Sequence, residues 1–252
     1  MGKLAAGLRH VGKRYDVSLC QRPAVSLRAP GRHGSPQRRK VLVLKLFYAV
    51  GTCALASHIA LEEAGAEYDA VRLDFRTNEQ RKPEYLAINP KGRVPALVTD
   101  DGVLTETPAI LAFVAQSFPS AGLAPMADPF AFACVQAFNS YLCSTVHVAH
   151  AHRMRGYRWA DDPAAIEEMR RKAPAAVGEC FDLIERKMIE GPWVMGEAYT
   201  VCDPYLFTLA QWLEADGVNP ARLPKIQDHR RRMSERPAVR KALAEELSPA
   251  QQ

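Results

Sequence analysis

With 252 residues, 48% of them apolar and 24% charged, the chain has ordinary globular composition and enough length for one large domain or two modest ones. No apolar run approaches the roughly 20 residues that cross a bilayer, and the N-terminus lacks the compact apolar segment of a secretory signal, so neither a membrane partner nor secretion is expected. The net charge of +5 points to nucleic acid only until its position is read: residues 1 to 40 hold ten Lys/Arg against Asp16 alone, and removing these from the 33 basic and 28 acidic residues leaves 23 and 27, a charge of −4.

The folded part is therefore mildly acidic and is not expected to bind nucleic acid, although a basic tail could touch polyanions. The six cysteines, Cys20, Cys53, Cys134, Cys143, Cys180 and Cys202, show no CxxC pair and no metal-ligand spacing. That usage fits a reducing cytoplasm.

Residues 1 to 40 have few acids, no sustained period and a Pro/Gly/Arg-rich end, and are expected to form a basic, disordered extension. An organelle-targeting segment, an overlong start and a solvated tail all remain open for it. "KVLVLKLFYA" (40–49) is β-branched and apolar and reads as a buried strand. "CALASHIALEEAG" carries helical spacing at Leu55, Ile59 and Glu62 and stops at Gly65; "EYDAVRLDF" is a second strand. After a polar loop, "GRVPALVTDDGVLTE" reads as a hairpin turning at "DDG", and "TPAILAFVAQSF" as a helix capped by Thr107 with Pro108 in its first turn.

Beyond the "PSAGLAPMADP" linker strand signals vanish. One helix is predicted from about Pro129 to Arg155, and another from Pro163, capped by Asp162, to about Ile189 with a kink at Pro174; two or three more follow. In "YTVCDPYLF", Thr200 and Asp203 have capping-box spacing. The expected organisation is a basic extension (1–40), an α/β unit (41–119), a linker (120–128) and an all-α unit (129–252).

Cys53 falls between a glycine turn and the first turn of a helix, where unpaired N–H groups and the helix dipole favour a thiolate. It is expected to titrate below the free value of about 8.5. The alternative is an inert core cysteine. His147, His150 and His152 invite a metal reading, but no carboxylate or cysteine ligand is apparent beside them, and no metal is expected. His147 and His150 fall at near-helical spacing with Arg153 and Arg155, while His58 reads as a packing residue.

The β-α-β, loop, β-β-α order, with a cysteine opening the first helix and Val-Pro opening the hairpin, resembles a thioredoxin-like unit followed by an all-helical domain. "KLFYAVGTCALASHIALEEAG", "YLAINPKGRVPAL" and "LTETPAI" resemble the bacterial beta class of cytosolic glutathione transferases, over residues 41 to 245. The resemblance implies a thioredoxin-like domain binding glutathione as co-substrate, a helical domain forming the acceptor pocket, and a homodimer. Cys53 corresponds to the signature catalytic residue, with Tyr48 and Thr52 as rival hydroxyl groups for stabilising the glutathione thiolate.

By the same resemblance Pro95 is cis, so that Val94 N–H and C=O pair with the cysteinyl part of glutathione. Glu106 takes its ammonium, Thr107 its α-carboxylate, and His147 faces the cysteine cleft. Asn78 stands where a glutathione-binding lysine is common, leaving Gln80 or Arg81 to substitute. Ser140, beside Asn139, stands where an asparagine is usual. The implied activity is transfer of glutathione to small hydrophobic electrophiles, or cysteine-dependent thiol transfer and disulfide reduction. The alternative is a non-catalytic ligand carrier or interaction module.

Overall fold

The computed structural model describes residues 43–248, so the basic extension and the last four residues lie outside the described residues. Strand β1 (Leu44–Tyr48) pairs in parallel with β2 (Tyr68–Arg72) and antiparallel with β3 (Ala96–Thr99), and β3 pairs with β4 (Gly102–Thr105). The sheet order is β2-β1-β3-β4. The hairpin turns at Asp100–Asp101 as its sequence predicts: the Thr99 hydroxyl accepts the Asp101 N–H at 3.1 Å and donates to the Gly102 carbonyl at 2.9 Å.

Helix α1 (Ala54–Glu63) crosses between β1 and β2, the short α2 (Pro83–Leu86) interrupts the loop read as polar coil, and α3 (Thr107–Ser117) follows the hairpin. Every residue of α1 from Ala54 to Leu61 is buried. An amphipathic helix against a sheet would leave one face in water; α1 does not, because α3 packs beside it while α7 (Cys202–Ala210) and α9 (Pro237–Leu247) also lie against it. His58, fully buried, gives its Nε2 to Glu245 at 2.9 Å.

The helix predicted from Pro129 to Arg155 is α4 (Pro129–Tyr141) and α5 (His147–Arg155), joined by one wider π turn at Leu142–Val146. Asp128 caps its start by accepting the Phe130 and Ala131 N–H groups. Helix α6 (Pro163–Leu183) contains Pro174 and ends in a second π turn, Ile184–Met188; Asp162 caps it through Ala164 N–H. Helix α8 (Pro224–Glu235) precedes α9. Beyond Thr105 the described residues contain an isolated bridge, Trp193 to Gly196, and no strand.

One apolar core runs through both halves, from Leu46, Leu97 and Ile110 to Phe138, Phe181 and Leu206. The expected capping box forms only in part: α7 begins at Cys202 with Val201 at its cap position, while Thr200, one residue earlier, accepts the Cys202 N–H with its hydroxyl and gives its own N–H to Asp203 at 2.7 Å. Asp203 does more than its spacing shows, because it also accepts Val194 N–H at 2.9 Å and lies 3.0 Å from His229 Nε2. Among the described residues no helix is long and apolar enough to cross a membrane.

Candidate functional site

The site begins at the turn after β1. Gly51 adopts a φ of +70°, which glycine tolerates without a Cβ penalty, and lets the chain double back into α1. The Thr52 hydroxyl donates to the Ala49 carbonyl at 2.7 Å and accepts the Ala54 N–H at 3.3 Å. It therefore serves the turn and the helix start, and does not line the cavity that Cys53 enters. Cys53 holds the cap position of α1, and its thiol donates to the Val94 carbonyl at 3.6 Å.

The Val94–Pro95 peptide is cis. Just before it, the Arg93 carbonyl accepts the Tyr85 hydroxyl at 2.6 Å and the Asn89 amide at 2.7 Å. The two bonds fix this edge of the site. On the next strand pair Glu106 sits at φ +73°, unusual for a non-glycine residue, with its carboxylate 2.5 Å from Lys91 Nζ. Thr107, expected as the cap of α3, is its first residue and is buried; Glu106 takes the cap position, without a side-chain cap bond.

These groups meet in one cavity of about 340 Å³. From the sheet unit come Cys53, Arg93, Val94, Pro95, Glu106 and Thr107. The helical unit adds Cys143, His147, Arg158, Trp159 and Tyr205. The π turn between α4 and α5 carries Cys143 and leads directly into His147, so the widened helix supplies two of these side chains.

The electrostatics overturn one expectation. Burial pushes the Cys53 thiol up to about 11, opposed by the nearby Thr107 hydroxyl and the positive charge of Arg155. The first free N–H groups of α1 do not aim at the sulfur: Ala54 N–H goes to the Thr52 hydroxyl, Leu55 N–H to the Thr52 carbonyl and Ala56 N–H to the Cys53 carbonyl. Spent on local turns, they leave desolvation to win. His147 is pushed down to about 4, first by burial and then by His150, Arg155, Arg158 and Arg93. It is a neutral imidazole near pH 7. Burial, followed by the charge of Glu106, raises Cys143.

Besides Thr52, two expected site residues lie outside the Cys53 cavity. Tyr48 lines a separate cavity with Glu62, Tyr68 and Arg72 and packs its ring against His58, centroids 5.2 Å apart. Alternation along β1 turns it away from Cys53. Asn78 adopts a left-handed conformation between two tight turns, receives the Gln80 amide at 3.5 Å and does not line the Cys53 cavity; Gln80 and Arg81 do not line it either. The Asn78 position is a turn position, where left-handed asparagine is favoured for local reasons.

The histidines separate by role. His150 Nδ1 bonds the buried Asp216 carboxylate at 2.7 Å, which also holds Arg153 Nε at 2.8 Å, and its ring stacks on Trp212. The carboxylate beside these histidines was invisible in the sequence because it lies 66 residues away. Among the described residues His58, Glu62 and Glu245 form a group with metal-ligand character, but Lys241 places an ammonium 2.9 Å from Glu62 there. Cys143, Arg93, Arg158, Trp159 and Tyr205 were missed as cavity residues. The "YLAINPKGRVPAL" motif contains Arg93, whereas nothing local marks the other four.

The glutathione S-transferase N-terminal domain matches residues 42–116 and the C-terminal domain residues 146–237. Glutathione S-transferase GstA of Escherichia coli O157:H7 is 34% identical over 206 residues, covering 81% of this chain and 98% of that protein. A solved glutathione transferase homolog from Sulfitobacter, with bound glutathione, is 46% identical with a TM-score of 0.79, covering 82% of this chain and 99% of that one. The bacterial beta class glutathione S-transferase of Sphingomonas chungbukensis is 33% identical with a TM-score of 0.71, over 81% and 98%. With both of its domains matched in order along the chain, this protein belongs to the glutathione S-transferase family.

Proposed function

We propose that the protein binds glutathione as co-substrate in the Cys53 cavity and transfers it to small electrophiles, acting as a homodimer in a reducing cytoplasm. In this reading residues 41–119 hold glutathione and residues 129–252 supply the acceptor side. The single observation carrying it is that one cavity gathers Cys53, the cis Val94–Pro95 edge, Glu106, Thr107 and His147. Val94 offers an N–H and a C=O to the cysteinyl backbone; Glu106 takes the ammonium, and Thr107 with the first N–H groups of α3 takes the γ-glutamyl carboxylate. The glutathione sulfur then lies beside Cys53.

In conjugation the glutathione thiol loses its proton to solvent, its sulfur bonds to the electrophilic carbon and the leaving group departs with the bonding electrons. A second outcome uses Cys53 itself. Its thiolate attacks a glutathione mixed disulfide, forming Cys53–S–S–glutathione and releasing the other thiolate; a second glutathione thiolate then regenerates Cys53 and leaves as oxidised glutathione. The Cys53 thiol donates to the Val94 carbonyl, so the cysteinyl N–H of glutathione competes for that acceptor and frees the thiol.

Retention on immobilised glutathione, together with turnover of 1-chloro-2,4-dinitrobenzene or a glutathione mixed disulfide, is the expected result. Retention without any turnover would favour a ligand carrier. Sedimentation of the full chain reads the dimer.

A further inference from the structure

The cavity carries unbalanced charge. Arg93 lines it from the sheet unit and Arg158 from the turn Gly156–Arg158 after α5, and Arg155 stands close enough to act on both Cys53 and His147. The one carboxylate among the lining residues, Glu106, is already held by Lys91 at 2.5 Å. Nearby Arg153 and Arg170 each have a carboxylate partner, Asp216 and Glu167; among the described residues Arg93, Arg155 and Arg158 have none.

Their backbones are anchored. The Arg93 carbonyl is clamped by Tyr85 and Asn89, and Gly156 packs so closely on α6 that a Cβ there would lie 3.1 Å from the Ile166 side chain. Like charges held around one cavity repel, and an incoming anion relieves that repulsion. Burial and the charges of Arg155 and Arg93 accordingly lower the pKa of Arg158. Glutathione brings a net charge of about −1 at neutral pH, two carboxylates against one ammonium. With its γ-glutamyl end at Glu106 and Thr107, its glycyl carboxylate satisfies one of the two lining arginines and leaves the other.

We propose that the acceptor is itself an anion: an aromatic electrophile bearing a carboxylate, held by Arg158 while its reactive carbon meets the glutathione sulfur. Trp159, 47% exposed and next to Arg158, offers its ring to the body of such an acceptor. The proposal rests on glutathione occupying the Cys53 cavity as argued above. It differs from the hydrophobic acceptor that the family resemblance implies.

The test uses a matched pair, 4-chloro-3,5-dinitrobenzoate and its neutral amide, each rate being divided by that compound's uncatalysed rate with glutathione. In both reactions the C–S bond forms, the C–Cl bond breaks, chloride leaves and the thiol proton goes to solvent. The normalised kcat/KM is expected to favour the benzoate by about tenfold, and this ratio is expected to shrink several-fold in Arg158→Gln and in 0.5 M salt. A second measurement needs no turnover: calorimetric affinities of the two purified S-aryl glutathione conjugates, the anionic one expected to bind about tenfold tighter. Equal affinities, or a benzoate-to-amide ratio that Arg158→Gln leaves unchanged, overturn the proposal. So does a variant that raises KM for glutathione and lowers both acceptors alike, which would assign the arginines to the glycyl carboxylate. If neither conjugate nor glutathione binds, the glutathione reading itself has failed and this proposal falls with it.

Discussion

The carboxylate of Glu246, in the last helix, accepts the backbone N–H of Gly51 at 3.2 Å across 195 residues, two positions before Cys53. The end of the helical unit thus braces the turn that presents the thiol. Glu246 is buried and its second oxygen has no partner, so desolvation pushes it from the ordinary 4.5 up to about 7.

Between pH 4.5 and about 7 the folded state keeps a proton on Glu246 that the unfolded chain has released, so stability falls as pH rises through this window and then levels. The full effect is about 3 kcal/mol. Glu246→Gln keeps an acceptor for Gly51 and removes the ionisation, so its melting temperature is expected to exceed that of the wild type at pH 8 but not at pH 5. Thermal unfolding at both values decides this; an equal or lower value at pH 8 would show that the carboxylate is already ionised at little cost.

His147 acts in the opposite direction. Its folded pKa near 4 lies below the unfolded 6.5, so the unfolded state binds the extra proton in that interval and stability declines as pH drops from 6.5 toward 4. Imidazole NMR of the labelled protein is expected to show His147 neutral at pH 6. A midpoint near 6.5 would contradict the burial argument.

For Cys53 the structure predicts slow chemistry before ligand arrives. Iodoacetamide modification of this residue is expected to keep climbing with pH beyond pH 9. Cys53→Ala is expected to abolish the mixed-disulfide adduct seen by mass spectrometry. An alkylation rate that levels off by pH 8 would restore the helix-terminus account.

The hub at Asp203 separates two kinds of capping. Thr200→Ala removes one cap acceptor and is expected to cost about 0.5 to 2 kcal/mol. Asp203→Ala strands Val194 N–H, Thr200 N–H and His229 together in the core, and is expected to cost about 3 to 5 kcal/mol. Urea unfolding of the two variants, with His229→Ala to close a double-mutant cycle on Asp203, measures the difference. A negligible coupling energy would reduce Asp203 to an ordinary cap.

What could be read from sequence was what is written locally. The strands at 44–48 and 68–72, the hairpin turn at Asp100–Asp101 and the caps at Asp128 and Asp162 depend on residues within a few positions of each other. Cys53, Val94 and His147 were found through motif resemblance, and the fold does bring them together. The state of the thiol was not legible, because it depends on the Val94 carbonyl 41 residues away and on which local acceptors the α1 N–H groups choose. Tyr48 failed for a similar reason: strand alternation says that it changes face, not which face carries the cavity. Arg158 and Trp159 follow a helix end and carry no period, so only packing against α6 puts them beside Cys53.

Helix α1 is enclosed on all sides, and α9 supplies much of that enclosure: Arg236, just before α9, grips Glu63; Lys241 grips Glu62; Glu245 meets His58; and Glu246 holds Gly51. During synthesis the sheet unit emerges before the helical unit, yet the surface that these groups cover stays bare until nearly 190 residues later, because its partners lie that far along the chain. At about 5 to 20 residues per second the nascent chain spends tens of seconds or less with His58, Ile59 and the Cys53 turn unprotected. The cysteine turn therefore acquires its final shape only after α9 has been made, so a polypeptide stalled or truncated before α9 carries an unbraced thiol rather than a working half.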